Sequence, residues 1–302
     1  MTAEVRRGQE AAGASADRTG HRAAVIGSPV AHSLSPVLHR AAYADLGLST
    51  WSYTARLLAP DQLADLLAQV AAPARGGPVW EGLSVTMPHK QAVTGLLDAV
   101  DPLARAVGAV NTVVAQRHGG GRALLTGVNT DVAGIVGALR EVLAHQGTAL
   151  GPRAVGLGIR TLTWSPGEPA SDAAVAHELA AADLVVSTLP AHAADTLGAP
   201  LARALGGRPR PGALLDVVYA PWPTVLAATW QAGGGVVAPG WLMLLHQAAP
   251  QVQLMTGRAP RLGPMRAALL HALGEGPGRG AEVAADVAGP DAQAVTGTPG
   301  MG

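Results

Sequence analysis

The chain has 302 residues, enough for about two domains of ordinary size, with 48% hydrophobic residues and 21 basic residues balanced by 21 acidic ones. Such neutrality leaves no electrostatic footprint for nucleic acid or an anionic membrane, so the expected partner is a small molecule. There is no cysteine, which excludes disulfides, thiolate metal sites and a cysteine nucleophile, and no apolar run reaches the roughly 18–20 residues of a membrane-spanning helix.

Residues 1–21 are rich in Ala, Gly and charge with no apolar signal segment; they are expected to be disordered, and the protein to be cytoplasmic. A strand is predicted over 22–26. A helix over 36–46 follows, with Ser35 as its cap and Pro36 at the first position, where a missing N–H costs nothing. Residues 51–56 read as a strand, and 60–70 as a helix with Leu63, Leu66, Leu67 and Val70 on one face. Next come a strand over 80–86, a helix over 90–97, and strands over 110–115 and 123–126 around a glycine turn at 118–121. A long helix starts at Asp131, whose carboxylate complements the helix dipole, and runs to about 145. Strands over 183–189, 213–219 and 235–238 alternate with helical segments, and helices over 242–254 and 263–273 close the pattern. Residues 275–302 are expected to be a disordered tail. Alternation of this kind predicts an α/β fold of two domains with mainly parallel sheets.

Five clusters carry candidate chemistry: Ser33-Leu34-Ser35-Pro36; Ser84-Val85-Thr86-Met87-Pro88-His89-Lys90; Gly108-Ala109-Val110-Asn111-Thr112; Gly127-Val128-Asn129-Thr130-Asp131; and Gly240-Trp241-Leu242-Met243 with His246-Gln247. Each alone has an ordinary structural reading, as a cap, a turn or a solvated helix face. His89 and His246 read as packing or hydrogen-bonding residues, since no metal-like cluster accompanies them, and no metal is expected. Taken together, the clusters sit at strand C-termini or helix N-termini, where open α/β sheets place ligands. Their hydroxyls, amides, lysine and carboxylate suit a small polyol carboxylate.

In this order and at these intervals the clusters resemble the shikimate dehydrogenase family, over about 22–150 and 180–273. The resemblance implies that Ser33 and Ser35 bind the substrate carboxylate, and that Thr86, Asn111, Asp131 and Gln247 hold the hydroxyls. It further implies that Lys90 and Asp131 form the catalytic pair, with Tyr219 near the substrate. Thr188, Val217, Gly240 and Met243 are implied on the cofactor side, and NADP as the cofactor. Ser84 stands where many members of the family carry Asn. The implied activity is the reversible NADP-dependent reduction of 3-dehydroshikimate to shikimate in aromatic amino-acid biosynthesis, by a monomer or homodimer with no nucleic-acid or membrane partner. A substrate domain over 22–130, completed by 245–274, and a truncated Rossmann-like domain over 131–244 are the implied organisation.

One departure stands out. Where the family places a strand, a glycine-rich turn and a helix, this chain has Gly156-Leu157-Gly158 followed by the β-branched run 159–164, which reads as a continuing strand. No third glycine and no helix N-terminus follow to receive a pyrophosphate. The later segment Ser165-Pro166-Gly167-Glu168-Pro169 lacks the basic residues that read a 2′-phosphate. An internal deletion of at least the ~30 residues of a βαβ unit accounts for both, so NADP binding is expected to be weak or lost. A non-catalytic shikimate- or quinate-binding protein, or a defective gene product, is the alternative reading.

Overall fold

The computed structural model describes residues 20–74, 76–145, 162–206 and 212–274. The chain divides into two compact units, Met1–Asn129 with Val252–Pro260, and Thr130–Gln251 with Arg261–Gly302. By compactness, only Val252–Pro260 of the segment 245–274 groups with the first unit.

The first unit runs β1 (His21–Gly27), α1 (Ser35–Asp45), β2 (Trp51–Leu57), α2 (Leu63–Ala71), β3 (Val79–Val85), α3 (His89–Ala92), β4 (Ala99–Val100), α4 (Pro102–Val107), β5 (Thr112–Gln116) and β6 (Leu124–Val128). Its six strands lie in the order β2-β1-β3-β5-β6-β4. Strands β2, β1 and β3 are parallel, but β5 runs antiparallel to both its neighbours. Strands β6 and β4 are again parallel, so the sheet is mainly parallel, as predicted, with β5 the one reversed strand. The short glycine turn predicted at 118–121 allows β5 and β6 to pair only as a hairpin, because a parallel pair needs a long crossover. On α2, Leu63, Leu66, Leu67 and Val70 are all buried against Ile26 and Leu83 in one core cluster, as the i, i+3, i+4, i+7 spacing requires.

Three local expectations are corrected in this unit. Helix α1 begins at Ser35 itself, with Leu34 at the cap position and no side-chain cap there. The hydroxyl that meets an orphan N–H is that of Ser33, which accepts from the Ser35 amide at 3.3 Å. The helix predicted over 90–97 is one α turn, α3, continued as a 3-10 turn, Val93–Leu96. Helix α4 was not predicted, because six residues are too few for a periodic signal. Its ends are nonetheless written locally: the Asp101 carboxylate accepts from the Leu103 and Ala104 amides at 2.9 and 3.3 Å, and Gly108 stops the helix at φ 73°.

The second unit runs α5 (Asp131–His145), α6 (Pro169–Ala181), β7 (Leu184–Ser187), α7 (Gly198–Leu205), β8 (Ala213–Asp216), α8 (Val225–Ala232), β9 (Val236–Pro239), α9 (Gly240–Thr256) and α10 (Leu262–Ala272). Helix α9 passes from the second unit into the first at Val252. Strands β7, β8 and β9 form a three-stranded, wholly parallel sheet in that order. One face packs on Leu197, Leu201, Leu205 and Trp230, all buried. Among the described residues β7 pairs only with β8, and its Leu184 and Val186 are 43% and 39% exposed.

The strand predicted over 213–219 stops at Asp216. There the side chain takes over from the ladder, accepting from the Val218 amide at 3.2 Å and the Thr224 hydroxyl at 2.7 Å, an Asx-type turn. Residues 162–164 do not form the strand predicted for 159–164; the Trp164 indole instead donates to the buried Asp172 carboxylate at 2.7 Å. Gly156-Leu157-Gly158, residues 159–161, and the termini expected to be disordered lie outside the described residues.

Candidate functional site

The first unit gathers its candidates at the C-terminal ends of β1 and β3. These strands are adjacent and parallel, with Ile26 opposite Val85, so the loops that follow them leave side by side. Two backbone bonds tie the loops together, from the Thr86 amide to the Ile26 carbonyl and from the Ser28 amide to the Met87 carbonyl, each 2.9 Å. A side chain is impossible at Gly27, since a Cβ there would come within 2.4 Å of the Thr86 methyl. Glycine at that position lets Thr86 sit against the end of β1.

Lys90 follows on α3, and its turn is fixed from two sides. The fully buried His89 donates from Nε2 to the Leu58 carbonyl at 2.9 Å, and the Lys90 carbonyl accepts from the Val110 amide at 2.8 Å. Asn111 is 2% exposed and is built into the sheet. Its carbonyl accepts from Val85 at 2.7 Å, its amide donates to Val128 at 3.2 Å, and its side-chain oxygen accepts from the Thr112 hydroxyl at 2.9 Å. Thr86, Lys90 and Asn111 are thereby brought to one end of the sheet on short, hydrogen-bonded connections. Ser35 is buried at the start of α1 and Ser33 half-buried just before it.

The second unit has its own row of candidates. Ser187, Asp216 and Pro239 are opposite one another across β7, β8 and β9, so Thr188, Val217 and Gly240 stand abreast, one residue beyond the strand ends. The Val217 amide donates to the Ser187 carbonyl at 3.0 Å. A Cβ on Gly240 would lie 2.2 Å from the Val217 carbonyl oxygen, so only glycine lets α9 start this close to the β8 loop. Tyr219 is partly buried, and that burial pushes its phenol above the ordinary tyrosine range.

Asp131 is the first residue of α5, and α9 crosses α5 over two glycines. A Cβ on Gly134 would meet Gln247 Cβ and the Met243 carbonyl, both at 2.8 Å, and one on Gly137 would lie within 2.7 Å of the His246 ring. The register of this crossing is locked by Glu141, which accepts from His246 Nε2 at 2.8 Å and from both Arg266 terminal nitrogens at 2.7 and 2.8 Å. Burial pushes the Glu141 carboxyl up, but the hydrogen bonds from His246 and Arg266 outweigh it and hold the group at about 2. Met243 and Gln247, one turn apart, are thus set against the start of α5. Gln247 is 6% exposed, and its amide donates to the Leu244 carbonyl at 3.0 Å. His246 and His89 are hydrogen-bonding residues, as their isolation in the sequence indicates. Among the described residues no three His, Asp or Glu side chains are grouped to hold a metal, and no helix is long and apolar enough to cross a membrane.

Sequence reasoning missed Tyr53, Glu141 and Arg266, which touch or fix site residues without belonging to any cluster. The Gly134-x-x-Gly137 spacing was the one local sign that a second helix lies against α5.

A mixed α/β unit with hydroxyl, amide and lysine side chains at one end of its sheet, joined in one chain to a Rossmann-like parallel unit, defines the class of two-domain α/β dehydrogenases. Comparison with known proteins makes this specific. Residues 25–113 match the shikimate dehydrogenase substrate binding domain, and residues 240–270 match the shikimate 5′-dehydrogenase C-terminal domain. The shikimate dehydrogenase (NADP(+)) of Synechococcus sp. (strain JA-2-3B'a(2-13)) is 35% identical over 285 residues, covering 83% of this chain and 95% of that protein. The crystal structure of Mycobacterium tuberculosis shikimate dehydrogenase matches with a TM-score of 0.65 at 33% identity, over 83% of this chain and 99% of that one. That of the Thermus thermophilus shikimate 5-dehydrogenase in complex with NADP(H) and shikimate matches with a TM-score of 0.61 at 31% identity, over 83% and 99%. The chain belongs to the shikimate dehydrogenase family. Its alignment with the Synechococcus relative has a gap to explain: 83% of 302 residues is about 250, some 35 fewer than the 285 aligned positions.

Proposed function

We propose that this chain carries out the reversible NADP-dependent reduction of 3-dehydroshikimate to shikimate, in the cytoplasm, with a cofactor affinity well below that of its relatives. The observation that carries the catalytic part is the fixed placement of Thr86, Lys90 and Asn111 at one end of the first sheet, in a family whose members are shikimate dehydrogenases. Residues 22–130 with the C-terminal helices form the substrate domain in this reading, and 131–244 the shortened cofactor domain.

NADPH, held by the residues named below, would supply the hydride for the carbonyl carbon. The Lys90 ammonium gives a proton to the oxygen as it becomes a hydroxyl, and in the reverse direction the amine takes it back. Asp131 orients the ammonium and accepts from the neighbouring hydroxyl. Ser33 and Ser35 donate to the substrate carboxylate, while Thr86, Asn111 and Gln247 hold the remaining hydroxyls and Tyr219 lies beside them.

The nicotinamide end of the cofactor suits Thr188, Val217, Gly240 and Met243, at or just beyond the C-terminal edge of a parallel sheet where such ligands bind. Nothing in the sequence suits the phosphates, which in an intact dinucleotide site meet orphan N–H groups across a glycine turn. The aligned positions lacking in this chain and the uncovered Leu184 and Val186 on β7 both favour a lost strand and helix. They also favour the second reading, a protein that binds shikimate without turning it over.

Two titrations of the purified full chain separate these readings. Calorimetry with shikimate alone should show binding, and its absence in folded protein would remove both. Fluorescence titration with NADPH should show affinity about a thousandfold below an intact relative, for a loss of ~4 kcal/mol. Weak binding with measurable turnover supports the enzyme; no turnover at saturating NADPH leaves the binding protein. Relative-like affinity would show that another segment has replaced the glycine loop.

A further inference from the structure

We propose that Tyr53 is a positioning residue for the substrate carboxylate, its hydroxyl joining Ser84 and Ser35 in a buried chain of three hydroxyls whose proton direction is set by the bound anion. This rests on the reading that Ser35 binds the carboxylate. Tyr53, on β2, is 1% exposed, Ser84 at the end of β3 is 4% exposed, and Ser35 at the start of α1 is 6% exposed. Tyr53 Oη and Ser84 Oγ are 2.6 Å apart, and the Ser35 side chain is a second hydrogen-bonding neighbour of the same phenol. The ring is clamped independently of its hydroxyl. The fully buried His39 stacks on it at 3.9 Å with the planes 20° apart, and Tyr43 meets it edge-on at 6.5 Å.

Each of the three hydroxyls has one proton to give, so the chain runs in one of two directions. If Tyr53 donates to Ser84, Ser35 spends its proton on Tyr53 and has none for an anion. If Ser84 donates to Tyr53 and Tyr53 to Ser35, the Ser35 proton is free to meet a carboxylate. An anion beside Ser35 selects the second direction, and each bond in the row then polarises the next in a site of low dielectric. Burial keeps the phenol neutral, so its proton is always available for this. The start of α1, β2 and the end of β3 are thereby coupled through one phenol oxygen.

The experiment is a double-mutant cycle read by calorimetry with shikimate on the full chain. Tyr53→Phe removes the hydroxyl and leaves the stacked ring. It should weaken shikimate binding roughly tenfold, the size of one lost buried hydrogen bond. It should not alter binding of a neutral analogue with hydroxymethyl in place of the carboxylate. Combined with Ser35→Ala it should cost no more than Ser35→Ala alone, because the effect passes through Ser35. Additive losses, or equal weakening toward the neutral analogue, overturn the proposal and make Tyr53 merely structural. If Ser35→Ala weakens binding and Tyr53→Phe does not, the proposal alone falls. Should Ser35→Ala have no effect, the carboxylate reading falls and takes the proposal with it. If Tyr53→Phe fails to fold, Ser84→Ala in the same cycle with Ser35→Ala carries the same test from the other end of the chain.

Discussion

The two units solve the problem of presenting side chains at strand ends in different ways. In the first, six strands in one sheet bury a continuous core, and three candidate site residues are pinned by a neighbour's backbone: Thr86 by Ile26, Lys90 by Val110, Asn111 by Val85 and Val128. In the second, three parallel strands carry Thr188, Val217 and Gly240, and among the described residues β7 has a strand partner on one side only, with two of its four side chains open to solvent. Parallel sheets are ordinarily covered on both faces and flanked by further strands. The contrast is between a sheet whose strand-end residues are tied to neighbouring strands and a smaller one in which, among the described residues, β7 stands at an edge.

Removing the first unit's chemistry should have the largest effect. Lys90→Ala should lower turnover roughly 10²–10⁴-fold, the usual cost of a lost general acid/base, while shikimate affinity changes far less. Wild-type turnover in that variant at neutral pH would remove Lys90 from the mechanism and blur the distinction between the units. Next in size, Ser33→Ala and Ser35→Ala should each weaken shikimate binding by about 1.5–3 kcal/mol, the cost of losing a hydrogen bond to a charged group. Calorimetry without cofactor is the measurement, because shikimate is expected to bind even without cofactor.

A smaller effect is expected from Gly240→Ala. Its Cβ would press on the Val217 carbonyl at 2.2 Å, and neither backbone can yield cheaply, so about 1–3 kcal/mol of stability should be lost. Urea unfolding followed by near-ultraviolet circular dichroism reads this, and an unchanged midpoint would mean that the β8 loop is free to move.

The smallest effect concerns Glu141. Its carboxyl lies at about 2 in the folded chain against an ordinary 4.5, so its contribution is present above about pH 4.5 and is lost as pH falls toward 2. Glu141→Gln should remove that part of the acid sensitivity. At pH 7 it should cost only about 1 kcal/mol, since the pair is partly exposed. A variant as acid-sensitive as the parent would show that the α5–α9 crossing is held by packing on Gly134 and Gly137 alone.

Element type was readable wherever a period or a cap was long enough to repeat. The stripe of Leu63, Leu66, Leu67 and Val70 and the acidic start of α5 both appear in place. Boundaries failed where a side chain ended an element, as Asp216 ends β8 and Ser33 opens α1. The candidate clusters could be picked out because each is contiguous in the sequence.

The direction of β5 could be read from the length of its connection to β6, but the place of both in a mixed sheet came only from pairing across β3. Sequence by itself determined the order and spacing of the candidate clusters, and that no third glycine follows Gly156-Leu157-Gly158, because both are matters of residue type at fixed spacing. Tertiary structure alone decided that Tyr53 meets Ser84 across 31 positions, that Glu141 reaches Arg266 across 125, and that Gly134 and Gly137 admit α9. Those contacts bring together residues far apart in the chain, and no local pattern encodes a distance that only packing closes.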